Sequence, residues 1–311
     1  MLKTITAFLL ADAATKRLLS ADNLSEVLTE PTIVDPLKTM WSTAGFSCPA
    51  NFGETPVFVG AENSRVLNVQ VRERVLPAKV IKTHLETAIA DAETRQGYRP
   101  GRKQIAELKE DVIMSLLPTS HIRHIDTQLM ITGDYLFIGT GSARTVDVVM
   151  SQLMSLFPED NLAFKPIAWG RDVRKFLMDA LLDETTDDCG FNRSRSVTLK
   201  SDSKAVAKFK DIDLESESIK ERIGAGMHPV DLAVEYSDTM TFTLTDQMLI
   251  KSIRFSDVLL SQTHDAENMV DEFDATVALV AGELRKMFAD LTTTIPVRDE
   301  LDETTDEDDE L

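Results

Sequence analysis

One stretch of the chain, from Arg72 to Arg123, carries two helical patterns in succession and constrains the fold more than any other. Apolar residues recur every three or four positions after Pro77, and again after Gly101 until Pro118 ends the pattern. The two patterns consist of Ile81, Leu85, Ala88, Ile89 and Ala92, followed by Ile105, Leu108, Val112 and Leu116. They predict a hairpin of two antiparallel amphipathic helices at about 78–117, with a buried inner seam and a basic turn.

The same region reverses the sign of a strongly acidic protein. The whole chain has a formal net charge of −19. From Arg65 to Arg123 it holds eleven Lys or Arg and seven Asp or Glu, a local net charge of +4, so the remainder sums to −23. A local excess of positive charge in an acidic protein indicates a surface at which an anionic partner docks. Negative charge elsewhere serves solubility and would confine such a partner to this one surface.

The rest of the chain predicts an α+β protein with mixed, mainly antiparallel sheets. Apolar and polar residues alternate over 65–71, as in a strand with one buried face. The first residues also favour a strand, and Trp41, Phe46 and Phe52 favour an aromatic loop packed on a sheet. Further predicted strands are 57–59, 121–132, 135–140, 164–169, 195–200, 205–209, 230–236, 239–245 and 249–255. Further predicted helices are 14–30, 146–157, 173–182 and 216–223.

The polar segment 183–190 is the best internal boundary, because it is followed by a second set of strands. We therefore predict an N-terminal α+β part at 1–182, a β-rich part with a long helix at 183–297, and a disordered tail at 298–311. The tail carries nine acidic residues against Arg298. Such a tail could compete with an anionic ligand for the basic region.

A single long amphipathic helix is predicted near the C-terminus. Its apolar stripe consists of Met269, Phe273, Val277, Val280, Leu284, Met287, Phe288 and Leu291. A long one-sided helix either covers a sheet of its own subunit or joins a partner subunit. On the pattern alone, packing on its own sheet is the better interpretation.

Composition favours an intracellular protein. No apolar run approaches the ~20 residues that a membrane-spanning helix needs. The N-terminal residues resemble a short signal peptide, but Asp12 interrupts the small-residue region, so a strand is the better interpretation. Cys48 and Cys189 are too few for a disulfide framework, and a reducing cytosol is the default.

No catalytic, metal-binding or cofactor-binding pattern stands out. His121 and His124 form H-x-x-H, but residues three apart on a strand point to opposite faces and cannot share an ion. The segments GTGSAR at 139–144 and GAGMHP at 224–229 lack the third glycine of a dinucleotide-binding loop. We therefore expect a protein that is not an enzyme, with no metal and no cofactor.

Four segments together resemble one known family. VLPAKVIKTHLE and LKEDVIMSLLP in the hairpin, IKSIRFSDVLL at 250–260 and FDATVALVAGEL at 273–284 are similar to the recombination-associated RdgC proteins of bacteria. The resemblance covers most of the chain to about residue 291. It departs after LLP, where Thr119 replaces a basic residue and His121 replaces an aromatic one.

The resemblance implies a protomer of a ring-shaped homodimer that encircles double-stranded DNA without sequence preference and restrains a RecA-type recombinase. It implies a cytoplasmic, nucleoid-associated protein. For the DNA contact we expect Arg72, Arg74, Lys79, Lys82, Arg95, Arg99, Arg102, Lys103, Lys109 and Arg123. For the dimer interface we expect Phe273, Val277, Leu284 and Phe288.

Two other interpretations stay open. The chain could be an acidic interaction protein or DNA mimic of the same fold, which binds a protein partner rather than DNA. It could also be a hydrolase that uses the strand with the two histidines, which is the least favoured interpretation. Salt dependence distinguishes a phosphate-binding protein from an acidic decoy, because only the former loses DNA affinity steeply as salt rises.

Overall fold

The computed structural model describes residues 2–50, 53–168, 170–182, 190–261 and 268–295. Several sequence-based predictions therefore lie outside the described residues. They concern Phe52, Trp169, Cys189, the boundary at 183–189 and the acidic tail. The division into an N-terminal and a C-terminal part stays a prediction.

Two antiparallel sheets form the framework of the protein. The first consists of β1 (Thr6–Leu10), β2 (Ser42–Ser47), β3 (Val57–Val59), β4 (Arg65–Val75), β5 (His121–Thr132), β6 (Tyr135–Ile138) and β7 (Phe164–Pro166). Its strand order is β2-β4-β5-β6-β1-β7, and β3 also pairs with β4. The second consists of β8 (Phe191–Lys200), β9 (Val206–Lys210), β10 (His228–Tyr236), β11 (Met240–Thr245) and β12 (Ile250–Phe255), in the order β12-β11-β10-β8-β9.

Helices cover the faces of these sheets or project from them. They are α1 (Ala13–Leu18), α2 (Ala21–Val27), α3 (Ala78–Gln96), α4 (Arg102–Leu116), α5 (Ala143–Leu156), α6 (Val173–Leu182), α7 (Glu217–Gly224), α8 (Asp257–Ser261) and α9 (Met269–Thr294). None of the helices among the described residues combines the length and apolar character needed to cross a membrane. The α+β class and the antiparallel pairing predicted from the sequence are confirmed.

Each face of the first sheet packs against a different layer. Leu67, Leu129 and Ile131 lie on the face that α1, α2 and α5 cover. Val66 and Met130, one residue along each strand, lie on the opposite face in a core that also contains α9 and the second sheet. This alternation is the period of two that the sequence shows in β4.

Helix α9 packs against both sheets and joins them through one core. The ring of Phe288 stacks on that of Phe137 in the first sheet, with the ring centroids 4.9 Å apart. The hydroxyl of Tyr236 in the second sheet donates a hydrogen bond to the carboxylate of Asp290. Burial and this carboxylate raise the pKa of Tyr236, so the hydroxyl stays protonated. A two-residue bridge between Ile5 and Ile250 adds a direct link between the sheets.

The apolar stripe of α9 is core rather than free surface. Val277, Leu284 and Phe288 are buried within the protomer. The fourth residue predicted for the dimer interface, Phe273, is half-buried and its ring meets that of Phe58 edge-to-face at 4.7 Å. Side chains that one protomer already buries have no surface to offer a partner. Packing on its own sheets, the alternative that the pattern favoured, is therefore the observed role, whereas a homodimer is a separate prediction that one chain does not test.

Two regions of the first half differ from the sequence-based prediction. The helix expected at 14–30 divides into α1 and α2 because Ser20 caps the second helix, accepting a hydrogen bond from the backbone N–H of Asn23. The expected aromatic loop is instead strand β2, which buries Phe46 and leaves Trp41 exposed. At Gly45 an added Cβ would lie 2.8 Å from the backbone of Ile33, so a glycine permits this close approach.

We expect Leu284→Ala to lower the free energy of unfolding by about 2–5 kcal/mol, because it leaves a cavity where α9 packs against both sheets. Urea denaturation followed by circular dichroism measures the change. The matched control is Val270→Ala on the first turn of the same helix, where the side chain is 49% exposed and the expected change is within about 0.5 kcal/mol. Equal effects of the two substitutions would contradict the core role of Leu284.

Candidate nucleic-acid interface

The helical hairpin is inserted between the two longest strands of the first sheet. Strands β4 and β5 pair continuously from Arg65 opposite Ile131 to Val75 opposite His121, and α3 and α4 connect the ends of this ladder. The hairpin therefore projects from the sheet where the two strands end. Its principal contacts are between its own two helices and with the 3₁₀ turn at Leu117–Thr119.

The turn of the hairpin is fixed by local backbone bonds. Gly97 ends α3 with φ +78°, a left-handed conformation that glycine adopts readily, and its N–H donates to the carbonyl of Glu93 at 2.8 Å. Gly101 precedes α4, and its N–H donates to the side-chain oxygen of Gln104 at 3.0 Å. The predicted helical hairpin and its glycine positions are thus confirmed.

The seam between the two helices is only half-buried, which corrects the predicted buried seam. No residue of α3 is buried, and Val112 is the one buried residue of α4. The apolar positions predicted for the seam are otherwise intermediate in exposure, and Val80, Tyr98 and Met114 are exposed. The physical reason is that two helices alone cannot enclose a row of side chains without a third packed element.

Positive charge is concentrated at the tip of the hairpin. The segment 94–106 contains four cationic residues and no Asp or Glu: Arg95, Arg99, Arg102 and Lys103. All four are exposed, and none forms an ion pair with another residue that the structure describes. An anion approaching this tip therefore meets unneutralised charge.

Other predicted contact residues are balanced by acidic neighbours. Arg72 pairs with Asp35 at 2.7 Å, and Arg123 pairs with Glu73 across the β4–β5 ladder. On α3 the amine of Lys82 lies 3.9 Å from a carboxylate oxygen one turn away. Exposed pairs of this kind contribute little stability, but they reduce the positive potential at the surface.

Lys79 and Lys109 are exposed and form no ion pair with any residue in the described ranges. Lys79 lies one turn before Lys82, on the same side of α3. Lys109 is followed directly by Glu110 and Asp111, so the charge around it is not positive. Of these two cations, Lys79 is the better placed to meet an anion.

Two arginines of the charged region, Arg74 and Arg65, are partly or fully buried. The guanidinium of Arg74 donates to the carbonyls of Leu117, Pro118 and Ser120 at 3.1–3.4 Å and to that of Pro36 at 3.0 Å. It thereby ties the base of the hairpin to the segment before β2.

Arg65 is buried, and this burial lowers the pKa of its guanidinium. Although it contributes to the local count of charge, Arg65 cannot contribute to a docking surface.

The two histidines lie on opposite faces of β5, as the strand geometry predicts. His124 is paired with Arg72 in the ladder, and His121 with Val75, so the two residues belong to alternate faces. The hydroxyl of Thr119 donates to a carbonyl of the preceding turn at 3.1 Å. Within the described ranges there is no group of three or more His, Cys, Asp or Glu arranged to hold a metal ion.

A polar cleft of about 670 Å³ on the first sheet was not predicted from the sequence. There the Asp126 carboxylate accepts hydrogen bonds from the side-chain amides of Asn68 at 2.7 Å and Gln70 at 2.8 Å. The alternation of Asn68 and Gln70 with apolar residues indicated a polar face, but only the pairing with β5 reveals the carboxylate opposite Gln70. The amides satisfy this carboxylate within the sheet.

We expect Arg74→Met to lower the free energy of unfolding by about 2 kcal/mol, because four backbone carbonyls lose a charged donor. Urea denaturation measures this loss, and hydrogen exchange at 117–120 should accelerate with it. Arg99→Met is the matched control, since Arg99 is exposed and bonds to no residue of the described chain. If the two variants are equally stable, Arg74 does not hold the hairpin base.

Comparison with known proteins identifies the family. A family model described as "Putative exonuclease, RdgC" matches residues 1–297. The chain is 31% identical over 281 residues to the recombination-associated protein RdgC of Cupriavidus pinatubonensis, covering 88% of this chain and 91% of the relative. It is 32% identical over 241 residues to the protein of the same name from Tolumonas auensis, covering 76% and 79%. The family description names a nuclease, whereas the relatives are named for recombination, and the chain belongs to the RdgC family.

Proposed function

We propose that this protein binds the phosphate backbone of double-stranded DNA without sequence preference and thereby limits access of a RecA-type recombinase. The observation that carries the proposal is the tip of the hairpin, where four exposed cations form no ion pair with any described residue in a chain of net charge −19. The relatives' names, which associate them with recombination, support DNA as the anionic partner.

The composition of the hairpin favours contact with phosphates over contact with bases. Lys and Arg at a projecting tip reach phosphate oxygens regardless of sequence. A surface that stacks single-stranded bases needs several aromatic side chains in a row. The hairpin offers only Tyr98, which is 62% exposed. Duplex binding through the backbone is therefore the better interpretation.

We expect Arg99→Gln with Arg102→Gln to weaken binding to all duplex sequences alike. Each phosphate contact contributes about −0.9 to the slope of log K against log salt, so the pair should reduce the magnitude of this slope by up to ~2. Lys79→Gln with Lys82→Gln should reduce it less, because Glu86 already lies near Lys82. Mobility-shift titrations at several salt concentrations measure both slopes.

The matched control is Lys16→Gln with Lys175→Gln, which removes the same charge from two helices outside the hairpin. Its slope should equal that of the unmodified protein. The unmodified protein must itself bind DNA for this comparison. If all three double variants then show the same slope as the unmodified protein, the binding surface lies elsewhere. Binding of basic proteins without binding of DNA would support the alternative that the chain is an acidic interaction protein.

We infer that encirclement of DNA takes two copies of the chain, as the resemblance to the ring-shaped RdgC homodimers implies. We therefore expect a homodimer at micromolar concentration. Light scattering should give about twice the chain mass of 34.6 kDa. A monomer at that concentration would contradict the ring, although it would leave DNA binding by the hairpin possible.

The recombinase role and the nuclease named by the family description call for separate assays. If the protein limits recombinase access, it should slow strand exchange on duplex DNA, and the tip pair of substitutions should relieve this inhibition. Incubation of labelled duplex with the protein and Mg²⁺ tests cleavage directly. Appearance of shortened products would replace the binding proposal with the nuclease activity that the family description names.

A further inference from the structure

The second sheet has one apolar and one polar face. Alternate residues of β10 and β11 are buried in the core that contains α9. On the opposite side, an open cleft of about 560 Å³ lies over the sheet. Its lining carries four cations and one acidic residue, a net charge of +3: Lys208, Lys210, Lys251, Arg254 and Asp231. This is a second positive surface in the acidic chain, separate from the hairpin.

The cations of the cleft stand on the two outer strands. Lys208 and Lys210 lie on β9, at one edge, and Lys251 and Arg254 lie on β12, at the other. Four strand spacings separate these edges by about 19 Å, comparable to the width of a double helix. Between the two rows, the lining is rich in hydroxyls: Ser194, Ser196, Thr198, Thr241 and Thr243.

An irregularity of β12 places both of its cations on the open face. Residues three apart on a regular strand point to opposite faces. Here Lys251 is paired with Thr243 and Arg254 with Thr241, so one extra residue is accommodated in β12. Ser252 takes φ +53° at this point, a left-handed conformation that is uncommon for a residue other than glycine. The local backbone thus brings together two charges that a regular strand would separate.

The polar groups of the cleft are not neutralised or satisfied by the protein. None of its four cations forms an ion pair with a residue in the described ranges. Thr198 is 8% exposed and directly opposite Lys208, and its hydroxyl has no hydrogen-bond partner among the described residues. Asp231 is the one acidic residue in the lining. Free amines and guanidinium beside hydroxyls are the groups that proteins use to contact phosphate oxygens.

The cleft suits a phosphate backbone better than exposed bases. The aromatic residues at its margin are Phe209 and Phe242. Phe242 is buried in the core and Phe209 packs against that core, so neither offers a free ring for stacking. Charge at both edges and hydroxyls between them match a partner with phosphates on two sides.

We propose that the open face of the second sheet is a second contact surface for the phosphate backbone of double-stranded DNA. This inference rests on the proposed function, because it takes duplex DNA as the ligand. It assigns DNA contact to residues outside the hairpin: Lys208, Lys210, Lys251 and Arg254.

Two double variants test the two edges: Lys208→Gln with Lys210→Gln, and Lys251→Gln with Arg254→Gln. Each should reduce the magnitude of the slope of log K against log salt by up to ~2 on a duplex of mixed sequence. Lys204→Gln with Lys220→Gln is the control, since both residues are exposed in the same half of the chain and neither lines the cleft. Its slope should remain that of the unmodified protein. Replacing Lys208 and Lys210 by Arg should preserve the slope.

The outcomes separate this inference from the proposed function. If the hairpin tip pair lowers the slope while both cleft pairs behave as the control, the cleft is not a DNA surface and the hairpin proposal stands. If the unmodified protein fails to bind duplex DNA at low salt, both proposals fail. Poly-glutamate binding to the cleft without DNA binding would identify an acidic polypeptide as the occupant and overturn the inference. Should a double variant fail to fold, Lys210→Gln and Arg254→Gln singly carry the test, each with an expected slope change of about 1.

Discussion

The continuous pairing of β4 with β5 is the interaction on which the N-terminal half depends. Because the ladder runs without interruption from Arg65 to Val75, the two strands end side by side, and the chain between them must leave the sheet and return to the same point. Two antiparallel helices of similar length meet this requirement. The ladder also decides which polar residues share a face, and thereby separates His121 from His124 and sets Asp126 opposite Gln70.

Helix α9 holds the two sheets together. Its buried side chains belong to a core that contains residues of both sheets, so the two sheets cannot separate without exposing it. The helical period of its stripe was visible in the sequence, and so was the burial it implies. What the period could not show is which surface covers the stripe. The pattern favoured a sheet of the same chain over a second subunit, but only three-dimensional packing shows which surface covers Val277, Leu284 and Phe288.

Features that depend on neighbouring residues could be predicted from the sequence, whereas features that depend on distant residues could not. This difference explains which parts of the candidate site were predictable. Local signals such as Pro77, Gly97 and Gly101 fixed the hairpin almost to the residue, because capping and turn chemistry act within a few positions. Strand β2 was missed because its glycine and serines resemble a loop, and its strand character comes from pairing with β4.

The charges depended on distant partners as well. Asp35 neutralises Arg72 from 37 residues away, and nothing near Arg72 in the sequence indicates this pair. The positive face of the second sheet was missed for a related reason. Its cations come from β9 and β12, which are distant in sequence, and the bulge at Ser252 breaks the alternation that would have indicated their common face.

The two positive surfaces differ in rigidity, and this difference has a consequence for how they would bind. The cleft lies on a five-stranded sheet whose other face is packed in the core, so the backbone that carries its charges is held in place. The hairpin has a half-buried seam and few contacts beyond its base, which makes it the less stable element. In the proposed DNA complex, the rigid surface would set the position of the duplex and the projecting hairpin would adjust to it. Contact that specifies no base sequence needs only this combination of position and charge, and the negative charge of the remaining surface would keep a duplex from settling anywhere else.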